Sequence, residues 1–227
     1  MEITYTWYGH ATHGLQVGEW KLLIDPYFTG NPAAAISAEK VDADYILITH
    51  GHGDHIADAP AIAKRTGALC ISNSEICTWL RNKGLKTHAQ QIGGGFNFPF
   101  GYLKLTLALH GSVLPDGSNG GNPAGFLLTT SDGKTVYFAG DTGLFGDMQL
   151  IGDEGLDLAV LPIGDNYTMG PEDALRAVKL LHPKQVIPVH YNTWELIAQD
   201  PYAWQQRVEA ESNAKVIVLK PGETLSL

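Results

Sequence analysis

The run Tyr45-Ile46-Leu47-Ile48 is apolar throughout and breaks off at Thr49-His50-Gly51-His52-Gly53-Asp54-His55. Both halves limit the fold. A short run with no alternation suits a strand covered on both faces, so the chain must supply layers on either side of its sheet. The polar half then falls at that strand's end and offers four metal-capable side chains: His50, His52, Asp54 and His55. In an extended segment His50 and His52 point the same way and can reach one ion. Asp54 and His55 follow a bend that Gly51 and Gly53 permit, and can serve a second ion nearby. Imidazole and carboxylate ligands suit zinc, and also manganese or iron. The bland alternative is a loop rich in His by accident, and ligand types at this density after a strand argue against it.

The rest of the chain supplies the layers. Ile3, Tyr5 and Trp7 alternate with Glu2, Thr4 and Thr6, the period of a half-buried strand. Turns are expected at Gly14 and at Gly18-Glu19, with a strand over 22–24 broken by Asp25-Pro26. Helices are predicted over 59–65, closed by Gly67, and from a cap at Asn73 or Ser74 to Lys83. Leu103, Leu105, Leu107 and Leu109 alternate with Lys104, Thr106 and Ala108, and runs 126–130 and 136–139 flank a hairpin signal at Ser131-Asp132-Gly133-Lys134. Later strands, 157–162, 186–189 and 216–219, alternate with helices opening at Pro171 and at Asp200-Pro201. Meanders first and helix crossovers later favour two sheets packed together with helices outside, an α+β arrangement in one domain over 1–227.

Composition narrows the function. Lys plus Arg number 15 against 24 Asp plus Glu, a net charge of −9, which argues against a nucleic-acid partner. No apolar stretch approaches the ~18 residues needed to span a bilayer. Met1-Glu2-Ile3-Thr4-Tyr5 lacks the regions of a signal peptide, and Cys70 and Cys77 read as free thiols of a reducing cytosol. A cytoplasmic protein with a small-molecule substrate and no membrane partner is expected. A charged fraction of 17%, below the usual ~25%, points to either a well-filled interior or a buried interface in a homo-oligomer.

Three more candidates share one placement: His110, Asp141 and His190 each follow the end of a predicted strand, where open sheets present functional residues. Singly each has a structural alternative, a capping Asp or a histidine satisfied by the backbone. Together with His50 to His55 they favour ligation. His10, after the first strand, is a candidate to line the same pocket, whereas His13, His88 and His182 read as structural or solvent-exposed.

The order His-x-His-x-Asp-His, a lone His, Gly-Asp-Thr and a late His resembles the ligand order of the metallo-β-lactamase superfamily. The stretches 121–126, 139–147, 161–171 and 189–193 are similar to a prokaryotic branch of metal-dependent hydrolases, itself similar to the ascorbate-6-phosphate lactonases. The resemblance implies a four-layer αββα sandwich with two divalent ions, zinc first and Mn2+ or Fe2+ as alternatives, at one edge. His50, His52 and His110 would bind the first ion, Asp54, His55 and His190 the second, and Asp141 both, with Asp54 and Asp141 as catalytic acids. Asp25, in Leu-Ile-Asp-Pro, resembles the family acid that orients a ligand His. An acid commonly replaces the second His in di-iron redox relatives, so His52 leans toward hydrolysis. His13 stands where relatives usually carry an apolar or small residue. The expected chemistry is attack by a metal-bridging hydroxide on a small, anionic ester or lactone. A phosphodiesterase on small or cyclic phosphodiesters and a non-catalytic metal-binding scaffold are the alternatives. Asn166, Thr168, Asn192 and Trp194 are candidate substrate contacts.

Overall fold

The structure, a computed structural model, describes residues 2–227. In chain order the elements are β1 Ile3–Gly9, β2 Thr12–Val17, β3 Trp20–Ile24, β4 Tyr45–Leu47, α1 Gly53–Ile56, α2 Ala59–Thr66, β5 Leu69–Ser72, α3 Ser74–Arg81 and β6 Thr87–Ala89. The second half runs β7 Gly95–Phe98, β8 Gly101–Leu107, β9 Ala124–Thr129, β10 Thr135–Phe138, α4 Met148–Gly152, β11 Leu158–Pro162, α5 Pro171–Leu181, β12 Gln185–Val189, α6 Pro201–Glu211, β13 Lys215–Val216 and β14 Thr224–Ser226.

These form two mixed sheets, ordered β14-β1-β2-β3-β4-β5-β6 and β13-β12-β11-β10-β9-β8-β7. Each begins as an antiparallel meander and continues as parallel strands. The parallel half is where helical crossovers occur, and these cover the outer faces. Between the sheets, Tyr5, Leu15 and Leu47 pack against Leu105, Phe126 and Tyr137. Ile46 and Ile48 point the other way, into a second cluster with Ile56, Ile62, Ile76 and Leu80 of α1 to α3. That alternation buries both faces of β4 and gives the run at 45–48 its apolar character. On the far side Leu175, Val178, Trp204 and Val208 of α5 and α6 close the fourth layer. This is the metallo-β-lactamase fold. Among the described residues no helix is long and apolar enough to cross a membrane.

Local chemistry sets the helix ends. Asn73 Oδ1 accepts from Ile76 N at 2.9 Å, and Asp200 Oδ1 accepts from Tyr202 N and Ala203 N. Each such cap is worth about 1 kcal/mol. Gly67 ends α2 at φ 77°. One expected turn is misplaced: Gly14 lies inside β2, where a Cβ would meet the Tyr8 ring at 2.8 Å, and the chain reverses at His10-Ala11 with His10 at φ 54°. Two strands are shorter than expected. β8 stops at Leu107, which frees Leu109 and His110 for the loop, and β13 is reduced to Lys215–Val216.

Candidate metal centre

Strand ends deliver the site. His10 follows β1, Asp25 β3, His50 to His55 β4, His110 β8, Asp141 β10 and His190 β12, and all reach one edge of the paired sheets. His52 Nδ1 lies 3.0 Å from His50 Nε2 and 3.3 Å from His110 Nε2. Asp141 Oδ2 lies 3.1 Å from His190 Nε2, 3.4 Å from His55 Nε2 and 3.6 Å from His110 Nε2. Asp54 Oδ2 is 3.8 Å from His55 Nε2. The candidate ligand atoms gather in a set of His50, His52 and His110, another of His10, Asp54, His55 and His190, and a third of Asp25, His50 and His55, each spanning no more than 4.8 Å. The structure thus brings together all seven residues proposed from the sequence as ligands, and draws His10 in beside them.

A buried scaffold aims these rings. Asp25, at φ 47°, accepts from Thr49 N at 2.8 Å through Oδ1, and from Thr49 Oγ1 at 2.6 Å and His55 Nδ1 at 2.9 Å through Oδ2. Thr49 Oγ1, its proton given to Asp25, is left to accept from His50 Nδ1 at 2.9 Å. One carboxylate therefore puts the proton on Nδ1 of both His55 and His50, which leaves both Nε2 lone pairs facing the cluster. His10 works likewise for Asp54, its Nε2 3.1 Å from Asp54 Oδ2 and its Nδ1 2.8 Å from Thr193 Oγ1. Thr49 and Thr193 escaped the sequence reading.

The charges favour a cation. Burial alone would lower His55, yet Asp141, Asp54 and Asp25 raise it well above the imidazole range. Burial would raise Asp141 and Asp54, but the neighbouring imidazoles hold both low, with His190 and His55 acting on Asp141 and His55 and His10 on Asp54. Desolvation takes His50 well below its usual value and His10 to about 4. His55 Nε2, Asp141 Oδ1 and both ring nitrogens of His190 are buried with no hydrogen-bond partner. His190 Nε2 and His55 Nε2 stand 3.1 and 3.4 Å from Asp141 Oδ2 without the alignment of a hydrogen bond. Orphaned polar atoms cost about 1–3 kcal/mol apiece, and a convergent group of them fits bound cations.

Beside this His/Asp cluster opens a cavity of about 570 Å³, walled by His52, Gly53, Asp54, His110, Asp141, His190, Tyr167 and Trp194. Of the substrate contacts expected from the sequence, only Trp194 lines it. Asn166 is an exposed turn residue at φ 50°, Thr168 Oγ1 bonds Met169 O, and Asn192 Oδ1 accepts from Gln199 N at 2.7 Å. Tyr167, between two residues that were singled out, is the one that reaches the cavity. Its signal was its size in a turn of small polar residues. His13 is buried, its Nδ1 2.8 Å from Tyr5 Oη, while His182 caps α5 and His88 packs on Phe96 and Phe98.

The profile of the beta-lactamase superfamily domain matches residues 21–191. A UPF0173 metal-dependent hydrolase of Heliobacterium modesticaldum is 52% identical over 230 residues, 98% of this chain and 96% of that protein. One from Thermus thermophilus is 48% identical over 227 residues, 100% of this chain and 99% of that protein. Igni18, a metallo hydrolase of the archaeon Ignicoccus hospitalis, superposes with a TM-score of 0.92 at 41% identity, covering 100% of this chain and 99% of its own. With these relatives, the paired sheets and the His/Asp cluster at their edge make the protein a metal-dependent hydrolase of the metallo-β-lactamase superfamily. Within that class the chain belongs to the UPF0173 metal-dependent hydrolase family.

Proposed function

We propose that the enzyme is a binuclear hydrolase of a small ester or lactone. In this reading His50, His52 and His110 hold one divalent ion, Asp54, His55 and His190 the other, and Asp141 reaches both. The observation that carries it is the position of Asp141 Oδ2, within 3.1–3.6 Å of rings from both sets. A divalent pair, zinc by its preference for imidazole and carboxylate donors, supplies Lewis-acid polarisation of a carbonyl and a water of lowered pKa. The chain's own residues do the rest. Asp25 and Thr49 keep His50 and His55 in the ligating tautomer. His10 orients Asp54, whose side chain is 27% exposed toward the cavity and so can carry a proton between the reacting group and solvent. The likeness to ascorbate-6-phosphate lactonases supports ring-ester chemistry. No Lys or Arg lines the cavity to meet the anionic character expected of the substrate.

The test is elemental analysis of protein purified without added metal, paired with turnover of a lactone and ester panel. About two equivalents of metal per chain are expected, falling below one in Asp141→Asn. A chelator should abolish turnover, and added zinc should restore it. Bound metal with no turnover on any ester, lactone or phosphodiester would turn the reading toward a scaffold.

A further inference from the structure

We infer that the substrate is uncharged beyond its reacting carbonyl and bears a flat apolar group, aryl or similar, that packs against Trp194 and Tyr167. The inference rests on the hydrolase reading and narrows its substrate. Apart from the ligand set, the cavity walls are Gly53 and these two aromatic side chains. Both rings are left open, 38% exposed for Trp194 and 53% for Tyr167, so the chain itself does not cover them. Their supports are built. The Trp194 ring lies 4.9 Å from that of His10. Its loop is closed by Asn192 N donating to Ile197 O, Ile197 N to Trp194 O, and Gln199 N to Asn192 Oδ1. Met169 N donates to Thr142 O, tying the Tyr167 loop to the residue after Asp141. The rim loops also expose Leu109, Val113 and Leu196.

The charge pattern points the same way. All 15 Lys and Arg lie outside 22–39, 41–63, 105–133, 135–175 and 185–206, the segments that supply every ligand and rim loop after β1. The loops that carry Tyr167 and Trp194 hold exposed acids instead, Asp165 and Glu195. Proteins that recognise a phosphoryl group, of charge about −1.5 to −2, supply it with Arg, Lys or oriented amides. Here such a group would find no Lys or Arg in the cavity wall, whose acids are Asp54 and Asp141. An ammonium group could use the aromatic rings, but the divalent pair would repel it. An uncharged apolar body meets neither penalty, and two aromatic walls offer it area to bury.

The experiment measures binding and turnover separately on metal-loaded protein. Calorimetry compares acetohydroxamate with benzohydroxamate, which share a metal-binding head, and with benzohydroxamates bearing a para phosphonate or a para trimethylammonium group. Benzohydroxamate should bind about tenfold tighter than acetohydroxamate, equivalent to ~1.4 kcal/mol. The phosphonate and the ammonium should each weaken it. Trp194→Ala should cut the aryl advantage to about twofold or less, and Trp194→Phe should keep most of it. Metal content and thermal unfolding verify that each variant folds. Equal affinity for aryl and methyl compounds, a tighter phosphonate or ammonium, or an aryl preference untouched in both Trp194→Ala and Tyr167→Ala overturns the inference. Phenyl-substituted and phosphorylated γ-lactones are then compared as substrates. An aryl preference in binding with no turnover of any ester or lactone supports the pocket's selectivity and fails the hydrolase reading. Turnover indifferent to the aryl group overturns this inference alone.

Discussion

Replacing Asp25 by Asn removes one charge and one acceptor oxygen while keeping the shape and a residue type that tolerates φ 47°. The carboxylate, 1% exposed, accepts three hydrogen bonds, from Thr49 N, Thr49 Oγ1 and His55 Nδ1. A carboxamide cannot accept all three. If its oxygen faces Thr49 Oγ1 and His55, its NH2 meets the Thr49 amide, and a buried donor is lost at about 1–3 kcal/mol. If its oxygen faces the Thr49 amide, the NH2 meets His55 Nδ1, and the ring must shift its proton to Nε2. That places a hydrogen where the proposed ion requires a lone pair. Part of the loss is offset, since burial already raises the Asp25 pKa and so disfavours its charge. The net expectation is about 1–3 kcal/mol of stability and a 10–100-fold weaker second metal site.

Competition against a chromophoric chelator reads the metal affinity, and urea denaturation in the presence of EDTA reads stability apart from metal. Asp25→Asn holding both ions within about threefold of wild type, at unchanged urea midpoint, would refute the claim that this carboxylate sets the tautomers. A stability loss with intact metal affinity would sink the claim for His55 while sparing the one for the Thr49 amide.

Two further perturbations probe the same edge. Gly140→Ala places a Cβ at φ 62° and 3.0 Å from Thr49 Cβ and Cγ2, so about 1–3 kcal/mol of stability should go, together with metal affinity as Thr49 is displaced. An unchanged urea midpoint would count against that close packing. His13 is 4% exposed and burial lowers its pKa to about 3, against about 6.5 unfolded. Between those values the unfolded chain takes up a proton that the folded chain refuses, so this contribution is complete above pH 6.5 and is lost as pH falls toward 3. From pH 7 to 5 the cost is about 2 kcal/mol, and His13→Gln, which keeps an acceptor for Tyr5 Oη, should flatten the stability–pH slope by that amount. A slope identical in the two proteins contradicts a neutral buried ring.

The proposed ligand positions were legible because each is a local event: a polar residue of the right type just past an apolar run. Asp25 shared that mark. Thr49 and Thr193 did not, because a threonine beside a strand is ordinary until its partner is known, and those partners lie 24 and 183 residues away. Gly14 was misread for a similar reason. Glycine marks turns by default, whereas here it makes room for the Tyr8 ring, and the true reversal has neither Gly nor Pro at its two central residues, His10 and Ala11. Short edge strands such as β6 and β14 have too few residues to show a period and exist through pairing with a longer neighbour.

The turn residues explain why the site can form at this edge. A strand sends side chains into the core or under the helices, never along its own axis, so a residue that must face the rim needs a tight turn at the strand's end. Among the described residues seven non-glycine positions have positive φ: His10, Asp25, Asp165, Asn166, His182, His190 and Asn192. All but His182, a helix cap, lie at this rim. For a histidine that conformation costs about 1–2 kcal/mol, and it persists only where neighbours over-determine it. The His10 carbonyl is such a point, accepting from Trp7 Nε1 at 2.9 Å and from His190 N at 3.1 Å. It pins the end of β1 in one sheet to the end of β12 in the other. The proposed ligands divide along the same line, His50 to His55 from the first sheet and His110, Asp141 and His190 from the second. Cations held between them would join the sheets where the backbone is under most strain, so metal binding and folding at this edge should be coupled.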